Sequence, residues 1–444
     1  MVSVATIVRE IKEDLGRVLS PEHVAEVCRA TGLQWRQRCL DPVTTVYVFI
    51  LQVLHANAPM SHLSRLSGFR FTPSAYCQAR QRVPLEALHR LLRETGRPLT
   101  PHATGEGYWG GHRTLLIDGS ACSMPDTPRL RRAFGLPPNQ RRGCGFPVAH
   151  LLLLFDAYSG AILDVRIAPW HTHDLRQTAE LFAHLQPGDV LVGDRALCAY
   201  AQMAWLFAHQ VFVVFRVQQA KIVDFRPHRP HGGRGQPSSR WLARLGGTDQ
   251  LVVWYPRGRG DTLSPAQQAE IPPLLIVREL RYPVVQQGFR SRTVTLATTL
   301  LDPVRYPAAE VARLYRTRWQ VETHLHELKC TLGLAILHSR TVPGVQKEVC
   351  VFALVYNLVR ARMLQAAQQQ RVPVARLSFS DALRSLRVRL DPVGPPPFDH
   401  LQTVPWRPER YEPRYRKRRP PPYPRMTRPR AVLRREMRKR TSAA

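Results

Sequence analysis

Four residues in the last third of the chain have types and spacing suited to chemistry on a phosphodiester: Tyr315, Arg318, Glu322 and Lys329. Counted from the tyrosine, the other three lie 3, 7 and 14 positions on. At about 100° per residue, a helix turns them to roughly 300°, 340° and 320°, one narrow stripe. A carboxylate flanked by a phenol, a guanidinium and an ammonium can bind a metal ion through its oxygens while the cations hold a phosphate beside it. The same stripe also suits a solvated helix face laced by ion pairs.

Two further acids end apolar runs: Asp118 in Leu116-Ile117-Asp118-Gly119-Ser120, and Asp194 in Val192-Gly193-Asp194-Arg195. Either one alone is an ordinary turn or cap residue. Together with a helical Glu322 they form a trio able to hold two Mg²⁺ ions about 3.5–4 Å apart, one activating the attacking oxygen and one stabilising the leaving oxygen of an in-line displacement. Mn²⁺ could substitute. Asp156 also follows an apolar run, but it precedes Ser159-Gly160, and a turn role is expected. His171/His173 and His324/His326 have metal-like spacing, but no further ligands complete a closed zinc site.

These residues need a scaffold that brings two strand ends and one helix together. Residues 1–105 read as helical and are a candidate DNA-end-binding domain: Val4, Ile7, Ile11 and Leu15 recur at helical spacing, Thr45 to Leu51 suits a buried helix, and Thr72 to Arg82 looks like a capped helix. From Arg113 the pattern turns to strands near 114–117, 150–155, 161–167, 189–193 and 211–215, with helices near 174–185 and 199–209. Strand, strand, strand, helix, strand, helix, strand is the order of an α/β ribonuclease-H-like core, a mixed five-stranded sheet in which the first and fourth strands are neighbours. That order assigns residues 106–222 and 301–370 to the core, with a β-rich insertion at 223–300 between them. The catalytic helix is expected over 307–332 and an apolar helix over 344–367, before a C-terminal region, 371–444, whose Pro-rich tail from 405 carries fifteen Arg or Lys.

The formal charge of +31 makes nucleic acid the expected partner. Of 64 basic residues 58 are Arg, a bias that suits phosphate recognition and that a GC-rich genome also produces. The eight cysteines show no paired spacing for disulfides or zinc. Without an apolar run long enough for a membrane span or a signal-peptide pattern at the N-terminus, the chain is expected in the cytoplasm, with no membrane partner.

At this point the sequence resembles the DDE transposases of the insertion sequence four group, whose signature Tyr-x2-Arg-x3-Glu-x6-Lys is met in full by Tyr315, Arg318, Glu322 and Lys329. The context is similar too: Asp118-Gly119-Ser120 followed by Met124-Pro125-Asp126-Thr127-Pro128, Gly193-Asp194-Arg195-Ala196 ahead of Tyr200, the insertion, and Ser74 to Arg80. The resemblance implies Asp118, Asp194 and Glu322 as the catalytic, metal-binding trio, and cut-and-paste transposition. Water nicks one strand, the freed 3′-OH forms a hairpin on the opposite strand, the hairpin is opened, and the 3′-OH joins target DNA. It also implies that Tyr315, Arg318 and Lys329 contact double-stranded DNA at the terminal inverted repeats near a flipped base, with Arg195 beside them, and that a homodimer pairs two ends in a synaptic complex. A tryptophan of the insertion typically stacks on that base; Trp254 or Trp241 is available, and either also suits plain packing. Two alternatives share the composition: a nuclease of the same superfamily that cuts without joining, and a domesticated DNA-binding relic.

Overall fold

The computed structural model describes residues 13–36, 38–100, 108–137, 144–172, 178–256, 264–284, 293–390, 398–405, 428–429 and 432–436. The basic run Arg416 to Arg419 and His173 lie outside the described residues.

Among the described residues six helices come first: α1 (Glu13–Val18), α2 (Pro21–Ala30), α3 (Pro42–Leu54), α4 (Leu63–Ser67), α5 (Pro73–Arg82) and α6 (Leu85–Gly96). Their starts follow local chemistry. Ser20, Asp41 and Thr72 each accept a bond from the backbone N–H three residues on, and a proline occupies the first turn of α2, α3 and α5. Helix α3 is apolar nearly all round because it is buried between its neighbours. In α5, Arg80 points inward over the Phe49 ring and donates to Gln52, whereas Arg82 is exposed.

The sheet begins with β1 (Tyr108–Trp109) and β2 (His112–Ser123) and continues through α7 (Pro128–Phe134), β3 (Val148–Asp156), β4 (Ile162–Pro169), α8 (Thr178–Phe182), β5 (Val190–Gly193), α9 (Tyr200–Ala208) and β6 (Phe212–Arg216). Lateral order is β4-β3-β2-β5-β6, with β3 antiparallel to its neighbours and β2, β5 and β6 parallel. This is the mixed sheet of a ribonuclease-H-like core. Asp156 closes β3 in a turn, its carboxylate accepting from the Ser159 N–H at 2.7 Å and hydroxyl at 2.8 Å, and burial raises its pKa against those bonds.

The β-rich insertion holds β7 (Arg240–Gly246), β8 (Asp249–Trp254), α10 (Pro265–Ala269), β9 (Leu275–Pro283) and β10 (Thr293–Thr298). Strand β10 pairs with β6, so the five core strands extend into one ten-stranded sheet. The expected long helix is broken into α11 (Ala308–Arg316), α12 (Trp319–His326) and a π turn, Glu327–Thr331. Thr317 causes the first break: its hydroxyl bonds back to the Leu314 carbonyl at 2.7 Å, and its N–H and those of Arg318 and Gln320 reach only three residues back.

Helix α13 (Val342–Gln370) then crosses the interior, and α14 (Phe379–Leu390) packs on it. By length and hydropathy α13 passes for a membrane span, yet 89% of its most apolar window is buried within the protein. The continuous apolar runs of β2, β3 and β5 follow from a sheet covered on both faces. Leu116, Val190, Val192 and Val214 face the core built on α3, α6, α12 and α13, while Leu115, Ile117, Leu191 and Phe215 face the core under α8 and α9.

Candidate active site

Strand pairing places the two aspartates. Ile117 is in register with Gly193, so Asp118 and Asp194 are the next residues on adjacent parallel strands, which run about 4.8 Å apart. Alternation sends Asp118 to the face of Leu116, and continuing the same alternation sends Asp194 to the face of Val192. Helix α12, whose Val321 is buried in that core, packs against β2 on this face. Asp118 does not end its strand as expected: β2 runs on to Ser123 because β3 continues to pair with it, while its parallel partner β5 stops at Gly193. Beyond that point one edge of β2 is free of strand pairing with β5, and the carboxylates stand there.

The signature residues do not share the straight stripe drawn from spacing. Tyr315 closes α11 with its ring buried, Arg318 sits in the break, Glu322 projects from α12 and Lys329 belongs to the π turn. The π turn is tied back to the strand, since Ser123 donates its N–H to the Ala335 carbonyl at 3.0 Å and accepts from Leu337 N–H at 2.8 Å. Arg318 links two of the acids: Nη1 lies 3.3 Å from Asp118 Oδ2 and Nη2 lies 3.7 Å from Glu322 Oε1. The Asp118 side chain is 19% exposed and that of Glu322 is 55% exposed. Asp194 Oδ1 accepts from the Ala196 N–H at 2.8 Å and lines the same cleft as Arg318.

That cleft, about 870 Å³, opens where β5 and β6 of the core meet β9 and β10 of the insertion. Arg195, Arg216, Lys221, Arg281 and Arg318 line it, against one carboxylate, Asp194. Of these cations sequence reading named Arg195 and Arg318; Arg216, Lys221 and Arg281 come from β6, the loop after it and β9, and the only signal for Arg216 was its place at the end of an apolar strand. Burial pushes the Tyr315 phenol up to about 12 despite the nearby guanidinium groups of Arg318 and Arg216, so it remains a neutral hydrogen-bond donor at physiological pH.

No group of three His, Cys, Asp or Glu side chains among the described residues is gathered tightly enough to hold an ion. The donor set still fits a hard divalent cation, which prefers carboxylate oxygens. The space between Asp118 and Glu322 already accommodates a cationic group, and the buried Arg318 Nε makes no hydrogen bond there. His324 is buried against Phe155 and Tyr356 with Nδ1 3.6 Å from Glu327, a packing position rather than a ligand of the site.

Trp254 is 3% exposed, its Nε1 donates to Glu279 at 2.9 Å, and Lys221 lies over the ring. It presents no open face to a base. Trp241 packs against His228 in the insertion, 4.4 Å between ring centroids with the planes tilted by 57°. An exposed indole does stand beside Arg318: Trp319, 41% exposed, with the Arg318 guanidinium 4.9 Å from its centroid. It lies inside the signature, and sequence reading passed over it.

The family model for a transposase DDE domain matches residues 109–358. Over 437 residues the chain is 24% identical to the transposase InsG for insertion sequence element IS4 of Escherichia coli strain K12, covering 92% of this chain and 93% of that protein. It is 29% identical over 145 residues to a putative transposase, InsZ, of the same organism, covering 32% of this chain and 44% of that protein. Among solved structures, a piggyBac transposase synaptic complex with hairpin DNA aligns over 86% of this chain and 80% of that one, with a TM-score of 0.43 and 11% identity, too loose a likeness to carry an argument.

Proposed function

The chain belongs to the DDE transposases of the IS4 type, and from that premise we propose that it moves its own insertion sequence by cutting DNA at the element's terminal inverted repeats and joining the freed ends to target DNA. The observation that carries the reading is that Arg318 reaches both Asp118 and Glu322, at 3.3 and 3.7 Å, and lines one cationic cleft with Asp194.

Asp118, Asp194 and Glu322 are the residues that would hold divalent ions, Mg²⁺ or Mn²⁺. When bound, such ions supply charge stabilisation to the attacking and leaving oxygens of a phosphoryl transfer. The chain's own cations take the rest of the substrate: Arg195, Arg216, Lys221 and Arg281 offer fixed positive charge to the backbone of the entering strand, and Lys329, held by the π turn, completes the set on the helix side. Tyr315 can donate its phenolic hydrogen to a phosphate oxygen without risk of ionising. We propose the family's reaction order, a nick by water, a hairpin made by the freed 3′-OH, hairpin opening, and strand transfer. We also propose a homodimer that pairs two ends in a cytoplasmic, nucleoid-associated complex, with residues 1–105 contributing to end binding.

The test is incubation of the purified protein with a labelled element-end duplex and Mg²⁺, beside Glu322→Gln, with products resolved on a denaturing gel. Wild type should give metal-dependent nicks at the element boundary followed by hairpin species, and the variant should bind without cutting. Nicks without hairpin or joined product would reduce the reading to a nuclease; normal cutting by Glu322→Gln would remove Glu322 from the site.

A further inference from the structure

We propose that Arg318 is a built-in counter-cation. In the DNA-free protein it keeps Asp118 and Glu322 paired, and it releases them when a DNA phosphate draws its guanidinium into the cleft, so that DNA docking and ion loading are coupled. The inference rests on the carboxylate reading above.

The bonds that hold Arg318 are weak ones. Its separations from Asp118 and Glu322, 3.3 and 3.7 Å, exceed the roughly 2.7–2.9 Å of a good charge-assisted bond. Its Nε is buried without a hydrogen bond. The same protein shows what a structural arginine looks like: Arg278, fully buried, grips Asp249 at 2.9 and 2.5 Å and donates to the Tyr306 carbonyl at 2.6 Å. Arg318 resembles a group between two resting places more than a cross-brace.

Its position also lets it move. It occupies the break between α11 and α12, where the helix ladder is interrupted. The rings of Trp319 and Tyr315 lie 4.9 and 5.9 Å from its guanidinium, offering faces along which a cation can slide. It lines the same cleft as Arg195, Arg216, Lys221 and Arg281. Without DNA, their charge drives Arg318 toward the carboxylates. A phosphate backbone in the cleft reverses that field and offers the guanidinium a bidentate partner that matches its fork. Once it turns away, Asp118 and Glu322 lose their counter-charge and become ligands for a divalent ion. Linkage then requires that the ion strengthen DNA binding by the same factor by which DNA strengthens ion binding.

The test is Mn²⁺ titration followed by the electron paramagnetic resonance signal of free Mn²⁺, with and without a precut element-end duplex that offers no bond to cleave. Wild type should bind Mn²⁺ at least about tenfold more tightly with the duplex. Arg318→Gln alone should already bind at that tighter level and gain less than about threefold from DNA. Arg318→Lys, whose ammonium cannot span both acids, should fall between. If Arg318→Gln fails to fold by far-ultraviolet circular dichroism, Arg318→Lys carries the comparison, and DNA-free binding equal to wild type overturns the proposal. Wild type gaining from DNA while Arg318→Gln without DNA stays as weak as wild type would also overturn the coupling, yet leave the carboxylates as ligands. Mn²⁺ binding unchanged by Glu322→Gln in every state would remove the carboxylate reading and the coupling with it.

Discussion

Gly193→Ala tests whether strand packing is what sets Asp194. A methyl placed on Gly193 stands 2.7 Å from Leu197 Cδ1, 3.0 Å from Phe215 Cε1 and 3.2 Å from Ile117 Cγ2. Ordinary contact lies nearer 3.5–4.0 Å, so about an ångström of room must be made. Leu197 and Phe215 are buried, and Ile117 immediately precedes Asp118 on the paired strand. Overpacking of this kind costs about 1–3 kcal/mol, and the low end is expected because the nearest atom is the tip of a leucine. The effect on chemistry should be larger. The displaced Leu197 belongs to the turn Asp194-Arg195-Ala196-Leu197, whose shape is held by the Ala196 N–H bonding to Asp194. A displacement of about 1 Å at reacting groups costs on the order of 100-fold. Thermal unfolding and the initial nicking rate on a labelled end duplex should therefore show a small stability loss beside a large rate loss. Adding Leu197→Ala should restore part of the rate while lowering stability further, a non-additive pair. Wild-type nicking by Gly193→Ala would refute the reasoning, since Asp194 would then tolerate the shift or play no part.

Two further perturbations separate structure from chemistry. Asp164 is fully buried, beside His184 at 2.8 Å, Arg166 at 3.1 Å, Arg93 at 3.3 Å and His89 at 3.5 Å. Burial alone would raise its carboxyl, but contacts with His184 and His89 and the charges of Arg166 and Arg93 hold it well below the usual range. Because its folded pKa is depressed, its stabilisation is present above about pH 4 and is lost as pH falls below that. Asp164→Asn should cost about 3 kcal/mol at pH 7, the low end for a broken buried pair because both arginines reach water, and urea unfolding should show the gap from wild type shrinking toward pH 2; a gap independent of pH would sink this account. Trp254→Ala should cost about 3–5 kcal/mol as a lost core aromatic, whereas Trp254→Phe should leave end binding unchanged in a gel-shift titration. A tenfold loss of affinity in the folded phenylalanine variant would return Trp254 to the DNA surface.

Much of this arrangement is legible in one dimension because it depends on one segment at a time. The apolar runs of β2, β3 and β5 declare strands buried on both faces, the caps at Ser20, Asp41 and Thr72 declare helix starts, and Tyr315, Arg318, Glu322 and Lys329 have the types and spacing that a phosphate site would use. A period of two or 3.6 is written into each segment whatever it later packs against. Pairing is not. Strand β10 joins β6 across 84 residues, counted from Val214 to Thr298, so the insertion becomes a wall of the cleft and adds Arg281 to it. The break at Thr317 hangs on a hydroxyl that can bond either way, and it moves the signature off its straight stripe and leaves Arg318 between two acids. Whether Trp254 meets solvent or Glu279 depends on a partner 25 positions away. The sequence by itself determined which side chains could do the chemistry and the strands and helices that carry them. Only the tertiary structure decided which of them meet, because side-chain neighbours come from contacts between distant segments that no local period encodes.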